Sequence, residues 1–188
     1  MLARAAALAM CSFAAAKTVY FEENFSGDWQ KRWVSGAPAG NEMGKFEVTS
    51  GKWHVDEEAN KGLTTTEDMR FYSISAKMNK KASNKGKPLV VQFSVKHEEH
   101  QYAFCGGGYL KLLPDKLKQA TFGGDDEYNI MFGPDLCGYD VSHIHLIFNH
   151  KGENLLKDDK ISLEYADKNE FTHLYTAIIQ PTGEYEVL

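Results

Sequence analysis

A long apolar run is missing from this 188-residue chain, and with it goes any permanent membrane helix, which needs about 20 consecutive apolar residues. A basic excess is missing too: 21 lysines and arginines stand against 26 aspartates and glutamates, a formal net charge of −5. With no basic stripe to neutralise phosphates, the chain makes a poor nucleic-acid binder. There are only three cysteines, none in C-x-x-C spacing, which argues against a zinc ribbon. No segment carries a long helical period of apolar residues, so a helical bundle is excluded as well.

What is present begins with a short leader-like stretch. Met1 to Ala16 has one charged side chain, Arg4, then an alanine-rich run, then Ala14-Ala15-Ala16, the small-residue pattern that precedes signal-peptidase cleavage. The expected organisation is a signal peptide over 1–16 and one domain over 17–188, soluble in the secretory pathway. Removing the leader takes Cys11 away and leaves Cys105 and Cys137, an even number in an oxidising compartment, where they should pair.

The periodicity of the remainder is that of strands. Tyr72, Ile74, Ala76 and Met78 alternate with Phe71, Ser73, Ser75 and Lys77, and Leu89, Val91, Phe93 and Val95 alternate with Val90, Gln92, Ser94 and Lys96. Ile144, Leu146 and Phe148 alternate with His143, His145, Ile147 and Asn149; Leu174, Thr176 and Ile178 alternate with Tyr175 and Ala177. Turn-rich loops separate these runs at Gly36 to Gly44, Asn79 to Pro88 and Gly123 to Asp126. Short strands with irregular polar loops predict an antiparallel sandwich of jelly-roll type.

The stretch from Cys105 to Cys137 concentrates the chemistry. Three glycines, Gly106 to Gly108, permit close backbone approach, and Tyr109 and Lys111, two apart, leave one face of a strand. Tyr128 opens a second apolar run that closes in Gly133-Pro134, with Asp135 past the expected turn. Aromatic faces beside charged hydrogen-bonding groups suit a polyhydroxylated ligand, whose C–H faces stack and whose hydroxyls donate and accept. The same residues also read as ordinary strand aromatics followed by a turn.

Lys96-His97-Glu98-Glu99 followed by Cys105-Gly-Gly-Gly-Tyr-Leu-Lys-Leu-Leu113, and Ile130-Met-Phe-Gly-Pro-Asp-Leu-Cys-Gly138, resemble the paired signatures of the calreticulin family, lectin chaperones of the endoplasmic reticulum. The resemblance continues through Lys61-Gly62-Leu63, Asp68 to Tyr72, Leu89 to Phe93 and Glu170 to Tyr175, covering nearly all of the chain after residue 17. It implies a legume-lectin-like (concanavalin A-like) sandwich, a Cys105–Cys137 bridge, and sugar contacts from Tyr109, Lys111, Tyr128 and Asp135. Its implied partners are monoglucosylated N-glycans on unfolded glycoproteins in the endoplasmic reticulum lumen. A structural calcium would take ligands from Asn24, Ala59 and Lys61. Relative to the family pattern, the sequence is expected to be the N-terminal part of the lectin domain. The oxidoreductase-recruiting arm, the acidic tail, the retrieval signal and one further carboxylate of the sugar site would then lie outside it.

Other constellations point elsewhere. His97-Glu98-Glu99-His100 has i, i+3 histidines, whereas a zinc protease needs i, i+4 on a helix. His143 and His145 share a strand face and read either as a metal pair or as polar lining. Asp125-Asp126-Glu127 reads as a solvated turn, since a glycosidase needs two carboxyl groups facing one another across the scissile bond; an enzyme is not expected. Asn24-Phe25-Ser26 is a glycosylation sequon, placed where the first strand would shield it.

Overall fold

Alternating apolar residues become a core when two sheets can stack their apolar faces, and two long ladders do so here. In chain order the strands are β1 Trp33–Ser35, β2 Phe46–Thr49, β3 Gly62–Thr65, β4 Ile74–Ala76, β5 Leu89–Lys96, β6 Cys105–Gly107, β7 Leu110–Leu112, β8 Ile130–Cys137, β9 Val141–His150, β10 Glu153–Leu155, β11 Ile161–Ser162, β12 Thr172–Ile179 and β13 Tyr185–Val187. The computed structural model describes residues 18–98, 105–138, 140–157, 160–163 and 169–188. The expected leader over 1–16, with Cys11, lies outside the described residues, as do Glu99 and His100. Helical structure among the described residues amounts to two three-residue 3-10 turns, and no helix there is long and apolar enough to cross a membrane.

The larger sheet has six strands. β9 is flanked by β8 on one side and by β10 and β11 on the other, and β8 pairs in turn with β6 and β7. The smaller sheet, β13-β12-β5, is also antiparallel. Between them lies the core: Phe132, Ile144 and Leu146 from the larger sheet meet Val91, Tyr175 and Ala177 from the smaller, with Phe132 and Ala177 wholly buried. Phe93 meets Phe132 edge-on with ring centroids 5.6 Å apart, and Phe148 meets Tyr185 at 5.6 Å. Burying each such aromatic stabilises the fold by about 1.5–3 kcal/mol relative to leaving it in water. The all-β, antiparallel sandwich architecture follows from this stacking.

Three sequence expectations change in detail. On β12 the inward set is Tyr175, Ala177 and Ile179, while Leu174 is exposed. Both phases of that strand are apolar enough, and pairing with β5 decides, because Tyr175 lies opposite Phe93 and Ala177 opposite Val91. On β4 the buried residue is Ser75 rather than its apolar neighbours; its hydroxyl and carbonyl both accept from the Gln119 side chain, which removes the penalty for burying a polar group. The expected turn at Gly133-Pro134-Asp135 is instead the middle of β8. Gly133 has φ 151° and a Cβ there would run into the Gly108 carbonyl, so only glycine lets the strand continue. Pro134 gives no N–H to the ladder, but its carbonyl accepts from Gly108 N at 3.1 Å.

Asn24 is exposed, not shielded, and its Oδ1 accepts from Ser26 N and Oγ. Glu98, part of the apparent zinc motif, has a structural job. Its carboxylate accepts from the backbone N–H groups of Lys52 and Trp53 and pairs with Lys96 at 2.7 Å, pinning the 51–53 turn to the end of β5.

Candidate functional site

Side chains alternate across a strand, so the β8–β9 ladder that buries Phe132, Ile144 and Leu146 on one face must present the intervening residues on the other. Asp135 lies opposite His143, Gly133 opposite His145 and Met131 opposite Ile147. On the far side of β8, Gly107 pairs with Asp135 and Lys111 with Met131. This outward face is where the expected sugar-contacting residues gather.

The disulfide fixes one end of it. Cys105 and Cys137 are directly opposed in the β6–β8 pairing and are bonded to each other. Two residues inward on the same face lie Gly107 and Asp135. Between β6 and β7 the ladder breaks at Gly108-Tyr109, and Tyr109 turns so that its ring lies over Gly107, where a Cβ would collide with the ring and its hydroxyl. That is why a glycine stands at 107. Tyr109 thereby reaches Asp135 with a hydrogen bond, and burial, followed by the Asp135 charge and this bond, pushes its pKa up to about 12. It is a neutral donor at any physiological pH.

Lys111 and Tyr128 form a second pair. The Lys111 ammonium sits 5.0 Å from the Tyr128 ring centroid and donates to the Gly124 carbonyl at 3.0 Å. Burial lowers the Lys111 pKa, while Asp126 and Asp125 pull the other way. The acidic run before Tyr128 is thus accounted for: Asp126 accepts from Gly123 N at 2.8 Å, and Glu127 pairs with Lys116 at 2.8 Å. The two pairs do not converge on one point. Asp135 and the Lys111 partner Met131 are four residues apart on β8, about 13 Å along the strand, so the face is an extended strip with Tyr109–Asp135 at one end and Lys111–Tyr128 at the other.

His143 and His145 join the Asp135 end. His145 Nε2 lies 3.2 Å from Asp135 Oδ2 and 3.2 Å from His143 Nε2, and the Tyr109 and His145 ring centroids are 5.8 Å apart. Burial, then the His145 and Lys160 charges, lower the His143 pKa, with Asp135 opposing. Register also puts Met131 and the buried Ile147 on this face, an apolar floor between the two pairs; the sequence signal for them was alternation with the core residues.

The residues expected to contribute calcium ligands, Asn24, Ala59 and Lys61, have protein partners for the following side-chain and N–H groups. Asn24 Oδ1 is engaged by Ser26, Ala59 N donates to Asp56 Oδ1, and Lys61 places its ammonium on Glu58 at 2.6 Å. The group of metal-ligating side chains among the described residues is Asp135, His143 and His145.

A disulfide-tied antiparallel sandwich with a polar and aromatic strip on the outer face of its larger sheet is a domain of lectin-like class. The calreticulin family model matches residues 20–188, and the chain belongs to the calreticulin family. It is 50% identical over 176 residues to calreticulin of Oryctolagus cuniculus, covering 93% of this chain and 40% of that protein. To calreticulin of Homo sapiens it is 50% identical over 171 residues, covering 90% of this chain and 39% of the relative. The chain thus spans about two fifths of the length of the curated relatives it matches. Among solved structures it is similar to the T. cruzi calreticulin globular domain, with TM-score 0.80 and 40% identity over 91% of this chain and 62% of that one.

Proposed function

We propose that this chain is a lectin module of the endoplasmic reticulum lumen that binds the terminal glucose of monoglucosylated N-glycans on unfolded glycoproteins and so holds them for folding. The observation that carries this reading is the outward strip of β7 to β9, where Tyr109 with Asp135 and Lys111 with Tyr128 stand at either end of an apolar floor. Sugar hydroxyls accept from Lys111 and donate to Asp135 and to the Tyr109 oxygen, while the C–H face of a ring packs on Tyr128 or on the Met131–Ile147 floor. A strip about 13 Å long between its charged ends suits several linked sugars better than one.

The reading is of a binder rather than a hydrolase. Asp126 and Glu127 are engaged by Gly123 N and Lys116, and Asp135 faces two imidazoles and a tyrosine hydroxyl instead of a second carboxyl group. A second reading, glycan-independent polypeptide binding, draws on exposed apolar side chains at the smaller sheet, where Phe171, Leu174 and Val90 are 75%, 60% and 53% exposed.

Two assays separate the readings. Titration calorimetry of Lys111→Ala and Asp135→Ala with a monoglucosylated oligomannose glycan should show each weakened, whereas light scattering of an aggregating non-glycosylated client should change little. Unchanged glycan affinity in both variants removes these residues from the site.

A further inference from the structure

Ahead of β1 the chain alternates in exposure residue by residue: Phe21, Glu23 and Phe25 are partly buried, and Glu22, Asn24 and Ser26 are exposed. Packing and hydrogen bonds hold the inward set. Phe21 meets Trp33 edge-on with ring centroids 5.5 Å apart, and Phe25 lies 6.4 Å from Trp29 and 6.0 Å from Trp33. The Glu23 carboxylate accepts from Trp33 Nε1 and from Phe25 N, each at 2.9 Å. Anchoring one side of the segment turns the other side to water, and that side carries the first and third residues of Asn24-Phe25-Ser26.

The geometry leaves one reactive atom available. Phe25 takes a left-handed bend, with φ 56°, and Ser26 comes back over the Asn24 amide: its Oγ donates to Asn24 Oδ1 at 2.8 Å and its N–H to the same oxygen at 3.1 Å. The amide oxygen is thus engaged and polarised by the hydroxyl, while among the described residues no acceptor takes the Nδ2 hydrogens. Residues 22–26 belong to no strand or helix, so no ladder has to open for the segment to enter an enzyme's cleft. Of the nine asparagines in the chain, Asn24 alone is followed by x-Ser or x-Thr with x other than proline, which gives an N-linked glycan a single address.

We propose that Asn24 is a modification site whose Nδ2 receives an oligosaccharide in the secretory lumen, so that the mature chain is itself an N-glycoprotein. In the transfer, Nδ2 forms a bond to the anomeric carbon of an oligosaccharide carried on a polyprenyl pyrophosphate. The bond from that carbon to the pyrophosphate oxygen breaks, the pyrophosphate leaves with the electron pair, and one Nδ2 proton passes to a base of the transferring enzyme. The assignment rests on the luminal placement in the reading above and is independent of the sugar-binding strip, because Asn24 lies outside β7 to β9. A glycan is bulky and solubilising; attached to the water side of a segment whose other side is already packed, it asks nothing of the core.

The test expresses the whole chain, residues 1–188, in a eukaryotic secretory host and reads the purified protein by intact and peptide mass spectrometry. The expected product begins at Lys17 and is heavier than its polypeptide by a series spaced at hexose increments. Peptide-N-glycosidase in heavy-oxygen water should remove the excess and leave a labelled aspartate at position 24. Asn24→Gln and Ser26→Ala should each abolish the glycan, and Ser26→Thr should keep it. An unmutated chain that begins at Lys17 with Asn24 unmodified overturns the glycosylation and leaves the luminal placement standing. One that retains residues 1–16 and carries no glycan overturns both. A glycan that survives either Asn24→Gln or Ser26→Ala overturns the assignment to this site.

Discussion

The two faces of the β8–β9 ladder share one backbone and carry opposite chemistry. Inward, Phe132, Ile144 and Leu146 are buried against the smaller sheet; outward, Asp135, His143 and His145 stand in a polar cluster beside Tyr109, with Lys111 at the far end of the strip. The inner face is held by area and shape, so its energy is spread over many contacts. The outer face is held by a few directed interactions, which place groups without adding much stability. Stability and binding should therefore separate cleanly when residues of the two faces are changed one at a time.

The largest effect belongs to the inner face. Phe132→Ala, at a wholly buried site, should cost about 3–5 kcal/mol in urea unfolding, against about 1 kcal/mol or less for Lys111→Ala. Comparable losses from the two would dissolve the distinction between the faces.

Removing the disulfide should come next, because it ties the strand that positions Tyr109 to the outer face. The bridge spans 32 residues, for which the chain-entropy model gives roughly 3–4 kcal/mol. Cys105→Ser with Cys137→Ser should lower the melting temperature and weaken glycan binding as well. Lower stability with unaltered affinity would show that the bridge serves the fold alone.

Acid should act away from both faces. Burial, then the His173 charge, lower the His97 pKa to about 4, below the ordinary value near 6.5. The unfolded chain binds this proton more readily, so the stability His97 contributes is present above pH ~6.5 and is lost as pH falls toward ~4, on the order of 3 kcal/mol. Further down, Glu98 adds to the loss: burial raises its pKa, but bonds from Lys96 and the Lys52 and Trp53 N–H groups outweigh burial and hold it below the usual value. Unfolding curves at several pH values should lose most of their slope between 6.5 and 4 in His97→Gln. If the slope survives there and vanishes in His143→Gln, the pH response lies on the outer face.

How much of this was legible in the sequence depended on whether one strand or two were needed to read it. The inward faces of β5 and β9 could be read from alternation alone, since only one phase of each carries Leu89, Val91, Phe93 and Val95 or Ile144, Leu146 and Phe148. β12 could not, because both of its phases are apolar and only its register with β5 chooses between them. Gly133-Pro134-Asp135 has the local chemistry of a turn, and pairing with β9 overrides it. On the outer face, Tyr109, Lys111, Tyr128 and Asp135 stood out through motif resemblance. The contact of Asp135 with His143 and His145 needed the β8–β9 register, for which a histidine pair two residues apart was only half the signal. Glu98 was hidden for the opposite reason: its partners are backbone N–H groups 45 and 46 residues away, which no side-chain pattern reveals.

The smallest expected effect is the one that tests the proposed function. On the lectin reading proposed above, removing Lys111 or Asp135 leaves a sugar hydroxyl unpaired in a partly desolvated strip, worth about 1–3 kcal/mol, or roughly 5-fold to 150-fold in affinity. Still more direct is the selectivity of the unmutated chain. Titration calorimetry with two oligomannose glycans that differ only in the terminal glucose should give measurable binding to the glucosylated form and little or none to the other; equal binding, or no binding to either, would contradict the account.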